Sequence, residues 1–154
     1  MSATTKAIFG RPVTGVSNGG AHISVDVITL YKDKVVLFER PGLKPGGQDD
    51  LGDLWFPWDY LNYGEQPDAA AKRVLKQWGK AEGKTLRLVE VFSMVPPGED
   101  WHLAFQYVAD LKAAPKNGQD VKEVKLIEPN QLPRMVGFLR RSDIKRHLTI
   151  PPKA

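Results

Sequence analysis

The sequence contains no cysteine, and this absence excludes several kinds of site at once. Without thiols the chain can form no disulfide, no cysteine nucleophile and no zinc site with cysteine ligands. Histidine is also scarce. The chain has three, His22, His102 and His147, and no two of them have the spacing of a helical metal motif. We therefore interpret each histidine as a surface or hydrogen-bonded residue and not as a catalytic base.

Long hydrophobic runs are missing as well. No apolar stretch approaches the ~20 residues that a membrane-spanning helix needs, and the first residues lack the basic and apolar segments of a signal peptide. We therefore expect a cytoplasmic protein without membrane association. Apolar residues nevertheless make up 42% of the 154 residues, which is enough for a packed core, and this length fits one domain.

Charge is distributed unevenly along the chain. Residues 1–114 carry 13 basic and 14 acidic residues, whereas residues 115–154 carry nine basic and four acidic residues, a net charge of +5. Such an excess indicates either an anionic partner, such as a nucleotide or RNA, or a solvated helix face. The basic side chains that would form a nucleic-acid surface are Arg134, Arg140, Arg141, Lys145 and Arg146.

Turn-forming and strand-forming residues divide the chain into an arm and a domain. Residues 1–21 are rich in small and polar residues and predict a flexible N-terminal arm, and residues 22–150 form the predicted domain. Strand patterns over 22–31 and 35–40 predict a hairpin. The loop over 41–54 is long enough to be functional. Its three carboxylates indicate either a metal site or a solvated turn; they are Asp49, Asp50 and Asp53.

Two further strands are predicted in the second half of the chain. Residues 86–95 form a strand with two mostly apolar faces, so we expect it to be buried on both sides. Residues 101–111 form its hairpin partner.

The stretch from Pro57 to Gly79 organises the rest of the chain, and it is typical of a strand end, a loop and then a helix. Gly64 interrupts the extended segment. Pro67 suits the first helical position, because its missing N–H would have no partner there. Asp68 places a negative charge in the first turn, where the helix dipole favours it. The apolar residues that follow recur at helical spacing, which predicts one buried face.

This stretch resembles the Nudix box, whose pattern is G-x5-E-x7-R-E-U-x-E-E-x-G-U with U apolar. Glu65 and Arg73 have the required spacing, the run from Ala70 to Arg73 matches Ala-Ala-x-Arg, and Leu75 matches the next apolar position. With the neighbouring segments, the resemblance covers roughly residues 22–148. It implies a strand that begins at Val124, a polar turn before Leu132-Pro133, and a final helix over roughly 136–148. The buried face of that helix would consist of Phe138, Leu139, Ile144 and Leu148. The resemblance implies an α/β protein with the Nudix fold, an α/β/α sandwich with a mixed β-sheet. It also implies that Glu65 and Arg73 pair across the loop–helix junction; the alternative is an ordinary amphipathic helix.

The sequence departs from the Nudix pattern where that family holds its metal. The three glutamates that bind divalent cations in the family correspond to Val74, Gln77 and Trp78 here. Mg²⁺ prefers oxygen ligands, usually carboxylates, which none of these side chains supplies. The family's Gly-Gly pair is Trp58-Asp59. We therefore expect no metal and no cofactor, and we expect Trp58 and Trp78 either to fill the vacated space or to stack a nucleobase.

Family members hydrolyse a nucleoside diphosphate linked to another moiety by metal-assisted attack of water. The resemblance with its departures predicts a domain with a degenerate box that lacks this reaction and binds a ligand or a partner. The candidate ligand-binding residues are Arg40, Trp55, Trp58 and Lys72. The candidate partners are a nucleotide-like small molecule and a second copy of the chain.

Two alternatives remain open. In the first, an atypical Nudix hydrolase holds Mg²⁺ through non-standard carboxylates, and Asp59 and Glu65 are the candidate catalytic residues. Other carboxylates that could contribute are Asp49, Asp50, Asp53, Glu99 and Asp100. In the second alternative, the chain is a nucleotide-binding or nucleic-acid-binding module that uses the basic C-terminal helix.

Overall fold

The structure is a computed structural model, and it describes residues 22–41, 54–95 and 101–148. The predicted N-terminal arm, most of the 41–54 loop and the turn that carries Glu99 and Asp100 lie outside the described residues. Within the described ranges the chain forms β1 (His22–Tyr31), β2 (Lys34–Glu39), β3 (Leu54–Trp55), β4 (Trp58–Tyr60), α1 (Pro67–Gly79), β5 (Gly83–Met94), β6 (His102–Leu111), β7 (Glu123–Ile127), a 3₁₀ turn (Pro129–Gln131), β8 (Met135–Val136), β9 (Leu139–Arg140) and α2 (Arg141–Leu148).

Seven of these strands form one mixed sheet: five follow the order β3-β2-β1-β6-β5, β4 pairs with β1, and β7 pairs with β2. Strands β1 and β6 are parallel, and the other pairs are antiparallel. Strands β1 and β2 pair only near their turn and then diverge. The segment 54–60 fills the gap, because β3 pairs with β2 and β4 pairs with β1. This wedge places residues 58–60 in the middle of the sheet, immediately before the loop that leads to α1.

The two helices cover opposite faces of the sheet. Helix α1 packs on the face that carries Val25, Val27 and Phe38. The residues before α2, together with Ile144 of α2, pack on the face that carries Ile28 and Leu37. The result is the predicted α/β/α sandwich. In the part of the chain that the structure describes, no helix is both long enough and apolar enough to span a bilayer.

The boundaries of α1 follow from local sequence. Pro67 occupies the first turn as expected, and Gly64 adopts the left-handed backbone conformation with φ +78°. The apolar stripe is buried; it consists of Ala70, Ala71, Val74, Leu75 and Trp78. The helix ends at Gly79, and Lys80 follows in the left-handed conformation (φ 49°) and donates its N–H back to Lys76 O.

A loop after β6 caps the C-terminal end of α1. The last carbonyls of a helix have no partner within the helix. Here the backbone N–H groups of Lys116, Gly118 and Gln119 donate to the carbonyls of Gly79, Trp78 and Gln77, at 2.8, 2.9 and 2.8 Å respectively. A Cβ atom at position 118 would lie 2.2 Å from the Gln77 carbonyl oxygen. This close approach of two backbones therefore requires glycine.

The prediction that residues 86–95 are buried on both sides was wrong. Strand β5 is at the edge of the sheet, with Leu88 47% and Val91 46% exposed. An apolar run of this length does not distinguish a central strand from an edge strand. The difference is decided by which strands and layers pack beside it, and these are distant in sequence.

The predicted start of the last helix was also wrong. Helix α2 begins at Arg141, and residues 135–140 form a small hairpin instead. Gly137 turns this hairpin with φ +56°, and its N–H donates to the Leu54 carbonyl at 2.9 Å. The glycine also lies against Trp55, because a Cβ atom here would be 2.7 Å from the indole ring. A contact with a segment some 80 residues earlier thus overrides the helical pattern.

We predict that Gly118→Ala destabilises the fold by roughly 1–3 kcal/mol, because the added methyl group must displace the backbone that caps α1. Urea unfolding followed by tryptophan fluorescence measures this change. Lys116→Ala is the matched control, since it removes an exposed side chain from the same loop and leaves the backbone bonds in place. Equal unfolding midpoints for the two variants would contradict the capping role of the loop.

Candidate functional site

The candidate site lies where β4 leads into α1, on the α1 face of the sheet. Strand pairing places Asp59 opposite Val25 of the central strand β1. The Asp59 side chain is only 1% exposed, so its carboxylate is inside the protein. One of its oxygens accepts the Tyr60 backbone N–H at 2.7 Å. The other oxygen, Oδ2, accepts a hydrogen bond from Arg73 of α1 at 2.9 Å.

Arg73 uses its guanidinium group to connect the helix, the loop and the strand. Its Nε and Nη2 atoms donate to the two oxygens of Glu65 at 3.0 and 2.9 Å, which is a bidentate pair. Nη2 also donates to the Tyr60 carbonyl at 2.9 Å, and Nη1 donates to Asp59 and, at 3.4 Å, to Gln77. A guanidinium has five N–H donors. Arg73 makes five hydrogen bonds, which equals this number of donors. Glu65 and Arg73 therefore form a pair, and Asp59 is bonded to the same guanidinium.

The electrostatics of this group show two carboxylates with different surroundings. Burial raises the pKa of Asp59, although the hydrogen bonds from Arg73 and from the Tyr60 amide act in the opposite direction. Burial would also raise the pKa of Glu65, but its hydrogen bonds with Arg73 and the Asn62 amide outweigh burial and lower it. Burial acts to lower the pKa of Arg73, and its two carboxylate partners outweigh that effect and raise it.

The three positions that bind metal in the Nudix pattern lie on one patch of α1, because residues three and four apart share a face. Val74 and Trp78 are fully buried and belong to the core between α1 and the sheet. Gln77 lies at the margin of this patch, where its side-chain oxygen accepts the long hydrogen bond from Arg73. The patch therefore faces the interior of the protein.

Trp78 is enclosed by groups from three other parts of the chain. The Arg40 guanidinium lies over the indole ring, 4.8 Å from its centroid. Phe38 packs edge-on against the same ring, at 6.0 Å between centroids. The indole Nε1 donates to the Trp58 carbonyl at 3.2 Å. The loop that caps α1 supplies Asp120, which pairs with Arg40 at 2.9 Å. Burial lowers the pKa of Arg40.

The four candidate ligand-binding residues have different surroundings. Arg40 and Trp55 are buried, at 6% and 2% exposure. Trp58 is half-buried and lies 6.3 Å from Trp55 and 5.4 Å from Tyr60 between ring centroids. Lys72 is exposed on α1. Trp58 and Lys72 are thus the two of the four that solvent reaches, and the ligand-binding role of all four stays a prediction.

The residues at this site do not fit a Mg²⁺ ion. The nearby carboxylates, Asp59 and Glu65, are both bound to Arg73, and Val74 and Trp78 offer no oxygen ligand. Across residues 22–41, 54–95 and 101–148, no group of three or more histidine, aspartate or glutamate side chains is placed to hold a metal ion. The other predicted metal carboxylates, Asp49, Asp50, Asp53, Glu99 and Asp100, lie outside the described residues.

The opposite face of the sheet carries a row of polar side chains that sequence reasoning missed. Asp26, Gln106 and Glu90 lie side by side on β1, β6 and β5. Gln106 donates to one Asp26 oxygen at 2.9 Å, and the other oxygen is buried with no hydrogen-bond partner among the described residues. Glu90 contacts the buried His147 of α2 at 2.9 Å. Burial raises the pKa of Asp26 to about 7, despite the bond from Gln106.

The two remaining histidines are buried on the same face of the sheet. His22 and His102 pair across β1 and β6, with 5.2 Å between their ring centroids. Tyr60 stacks on His102 at 5.6 Å. The signal for this group was present in the sequence, since His22, Ser24 and Asp26 are polar residues at alternate positions of a strand. Such spacing indicates that one face of a strand has polar neighbours, but not which ones.

No protein-family model matches this sequence, and a search of curated proteins finds no relative. Solved structures do match. A MutT Nudix hydrolase from Burkholderia pseudomallei has a TM-score of 0.67 at 12% identity, over 81% of this chain and 96% of that chain. A MutT protein from Methanosarcina mazei has a TM-score of 0.67 at 12% identity, over 84% and 96%.

A third match carries a bound molecule. The Nudix domain of Shewanella oneidensis NrtR, in complex with ADP-ribose, has a TM-score of 0.64 at 16% identity and covers 84% of this chain and 90% of that domain. These likenesses show that the chain has the Nudix fold, which confirms the fold prediction. At such identities they do not extend to activity or ligand.

We predict that Arg73→Met destabilises the protein by roughly 3–5 kcal/mol, because it leaves the buried Asp59 carboxylate without its cationic partner. Asp59→Asn should destabilise the wild-type protein but recover part of the loss in the Arg73→Met background. Urea unfolding of the four proteins measures this coupling. Lys72→Met, which removes an exposed cation from the same helix, is the control. Additive effects of the two substitutions would contradict the pairing, and Arg73→Lys provides a milder variant if Arg73→Met does not fold.

We also predict a pH-dependent contribution from Asp26. Its pKa is raised to about 7 in the folded protein, from an ordinary value of 3.8. Between about pH 4 and pH 7 the folded protein therefore binds more protons than the unfolded chain, so stability falls as pH rises. Asp26→Asn should remove this loss and stabilise the protein at pH 8 relative to pH 4 by about 2 kcal/mol. Converting the full pKa shift into free energy would give about twice this value for a group that is completely shielded from solvent.

Urea unfolding at several pH values between 4 and 8 measures the difference between Asp26→Asn and the wild type. Asp33→Asn, the same substitution at an exposed turn, is the matched control for the change in net charge. A constant difference between Asp26→Asn and the wild type across this range would contradict the raised pKa.

Proposed function

We propose that this chain is a Nudix-fold binding domain whose box helix has a structural role and which does not carry out metal-dependent hydrolysis. One observation supports this proposal above the others. The helix patch that would present metal ligands to a substrate is packed into the core, with Val74 and Trp78 fully buried. Arg40, held by Asp120, lies over the Trp78 ring.

The energetics of Arg73 disfavour the alternative of an atypical hydrolase that uses Asp59 and Glu65. A metal ion at these carboxylates would have to displace the guanidinium from the oxygens that it binds. Breaking a buried ion pair typically costs about 3–5 kcal/mol, because it leaves an uncompensated charge. With a metal on both carboxylates, the charge left uncompensated would be the guanidinium of Arg73, which is only 22% exposed.

The ligand that we propose is nucleotide-like. ADP-ribose is the molecule bound to the Nudix domain of Shewanella oneidensis NrtR, which has the same fold. In this chain the half-buried Trp58 offers an aromatic ring for stacking a base, which is worth about 1–3 kcal/mol per base. Lys72, which is exposed on α1, offers a cation for a phosphate group. A homodimer also stays a prediction.

The test is isothermal titration of ADP-ribose into the full-length protein, with and without Mg²⁺ or Mn²⁺, followed by chromatography of the products. We expect binding that does not require metal, and no release of AMP. Trp58→Ala should weaken binding about tenfold or more. Lys122→Ala, which removes an exposed cation from another part of the chain, should leave the affinity unchanged.

Two results would overturn the proposal. Metal-dependent formation of AMP that disappears in an Asp59→Asn, Glu65→Gln double variant would establish the atypical hydrolase. Absence of binding to ADP-ribose, with folding verified by circular dichroism, would overturn the proposal that this domain binds a nucleotide-like ligand.

A further inference from the structure

A groove lies beside the first turn of α2, on the part of the molecule opposite to α1. It has a volume of about 740 Å³. Among the described residues, six line it, of which four are basic and none is acidic or aromatic; they are Arg134, Met135, Arg140, Arg141, Ser142 and Lys145. This volume lies within the range of binding sites for ligands.

The basic residues of the groove differ from the neighbouring basic residues in their ion pairs. Between residues 119 and 148 the chain has seven basic residues. Lys122, Lys125 and Arg146 lie outside the lining, and each pairs with a carboxylate, namely Glu39, Glu123 and Glu90 in that order.

The four basic residues that line the groove differ from these three. Among the described residues, none of the four has a carboxylate within salt-bridge distance. Within the described ranges, the Arg141 side chain makes one long hydrogen bond, in which Nε donates to the Pro133 carbonyl at 3.4 Å. The groove therefore gathers cations that the fold itself does not neutralise, even though Asp143 lies on the same helix and is used elsewhere, by Arg146.

The exposure and the lining residues of the groove indicate which kind of anion it suits. All of its lining residues except the half-buried Met135 are exposed. Sites for small molecules are concave and bury most of the ligand, usually against apolar and aromatic side chains. An open, basic surface without aromatic residues instead suits a chain of phosphates, which it contacts without stacking the bases.

We propose that this groove binds the phosphate backbone of single-stranded nucleic acid and does not read its bases. Binding releases the counterions that the phosphates hold, so the affinity depends on salt. This site is separate from the one beside α1, and its occupancy does not depend on the nucleotide-like ligand proposed there.

The test is fluorescence anisotropy of the full-length protein with a labelled, mixed-sequence DNA strand of about 20 nucleotides, at several KCl concentrations. If the four basic residues each contact one phosphate, the logarithm of the affinity should fall with that of the salt concentration with a slope of about −3. Arg140→Ala, Lys145→Ala should make the slope shallower by about 1.4 and weaken binding roughly 20-fold at 0.1 M salt.

The matched control is Lys122→Ala, Lys125→Ala, which removes the same net charge from cations that already have carboxylate partners. We expect this double variant to keep the wild-type slope. Equal losses in the two double variants would overturn the proposal, because only the overall charge would then matter. All of these positions are at least partly exposed, and circular dichroism verifies that each variant folds.

Two further measurements distinguish other anions. Tripolyphosphate that binds as tightly as the DNA strand, with no gain from longer strands, would identify a site for a small anion and overturn the proposal. Preferential binding to vesicles that contain phosphatidylserine would do the same in favour of a membrane surface. Retention of ADP-ribose binding by Arg140→Ala, Lys145→Ala would show that the two sites are independent.

Discussion

The arrangement around α1 depends on the guanidinium group of Arg73. It donates to both oxygens of Glu65, to Asp59, to the Tyr60 carbonyl and to Gln77, and so it joins the helix to the end of β4 and to the loop between them. Asp59 makes this connection obligatory, because a carboxylate at 1% exposure cannot remain charged without a compensating partner. One side chain therefore connects the helix, the end of β4 and the loop between them.

The C-terminal half of α1 is held by a second set of contacts that has no charge on the helix itself. Trp78 packs beneath Arg40, Arg40 pairs with Asp120, and the loop that carries Asp120 caps the carbonyls of the helix. Glutamates at positions 74, 77 and 78 would repel one another on a single face of the helix unless a cation bound them. Valine, glutamine and tryptophan remove that repulsion, so the stability of this helix does not require a metal.

Local sequence predicted α1, because Gly64, Pro67 and Asp68 act at the start of the helix, and the resemblance to the Nudix box implied the pairing of Glu65 with Arg73. The α/β/α architecture followed from the resemblance and was confirmed. The contacts that were missed join distant segments: Arg40 with Asp120, Asp26 with Gln106, and Gly137 with Trp55. A strand pattern gives the face of a residue but not its cross-strand neighbours, which is also why β5 was assigned to the interior.

The charged residues beside α1 and beside α2 differ in whether they are paired, and this difference bears on function. Beside α1, each carboxylate of the Arg73 group has a cationic partner, which leaves little for a metal or a substrate to neutralise. Beside α2, the basic residues of the groove are exposed and have no such partner among the described residues, while neighbouring cations are paired. Like charges gathered on one surface repel one another, and an anion that binds there relieves this repulsion. The side of the fold that carries α2 therefore presents a surface whose charge differs from that of the site beside α1.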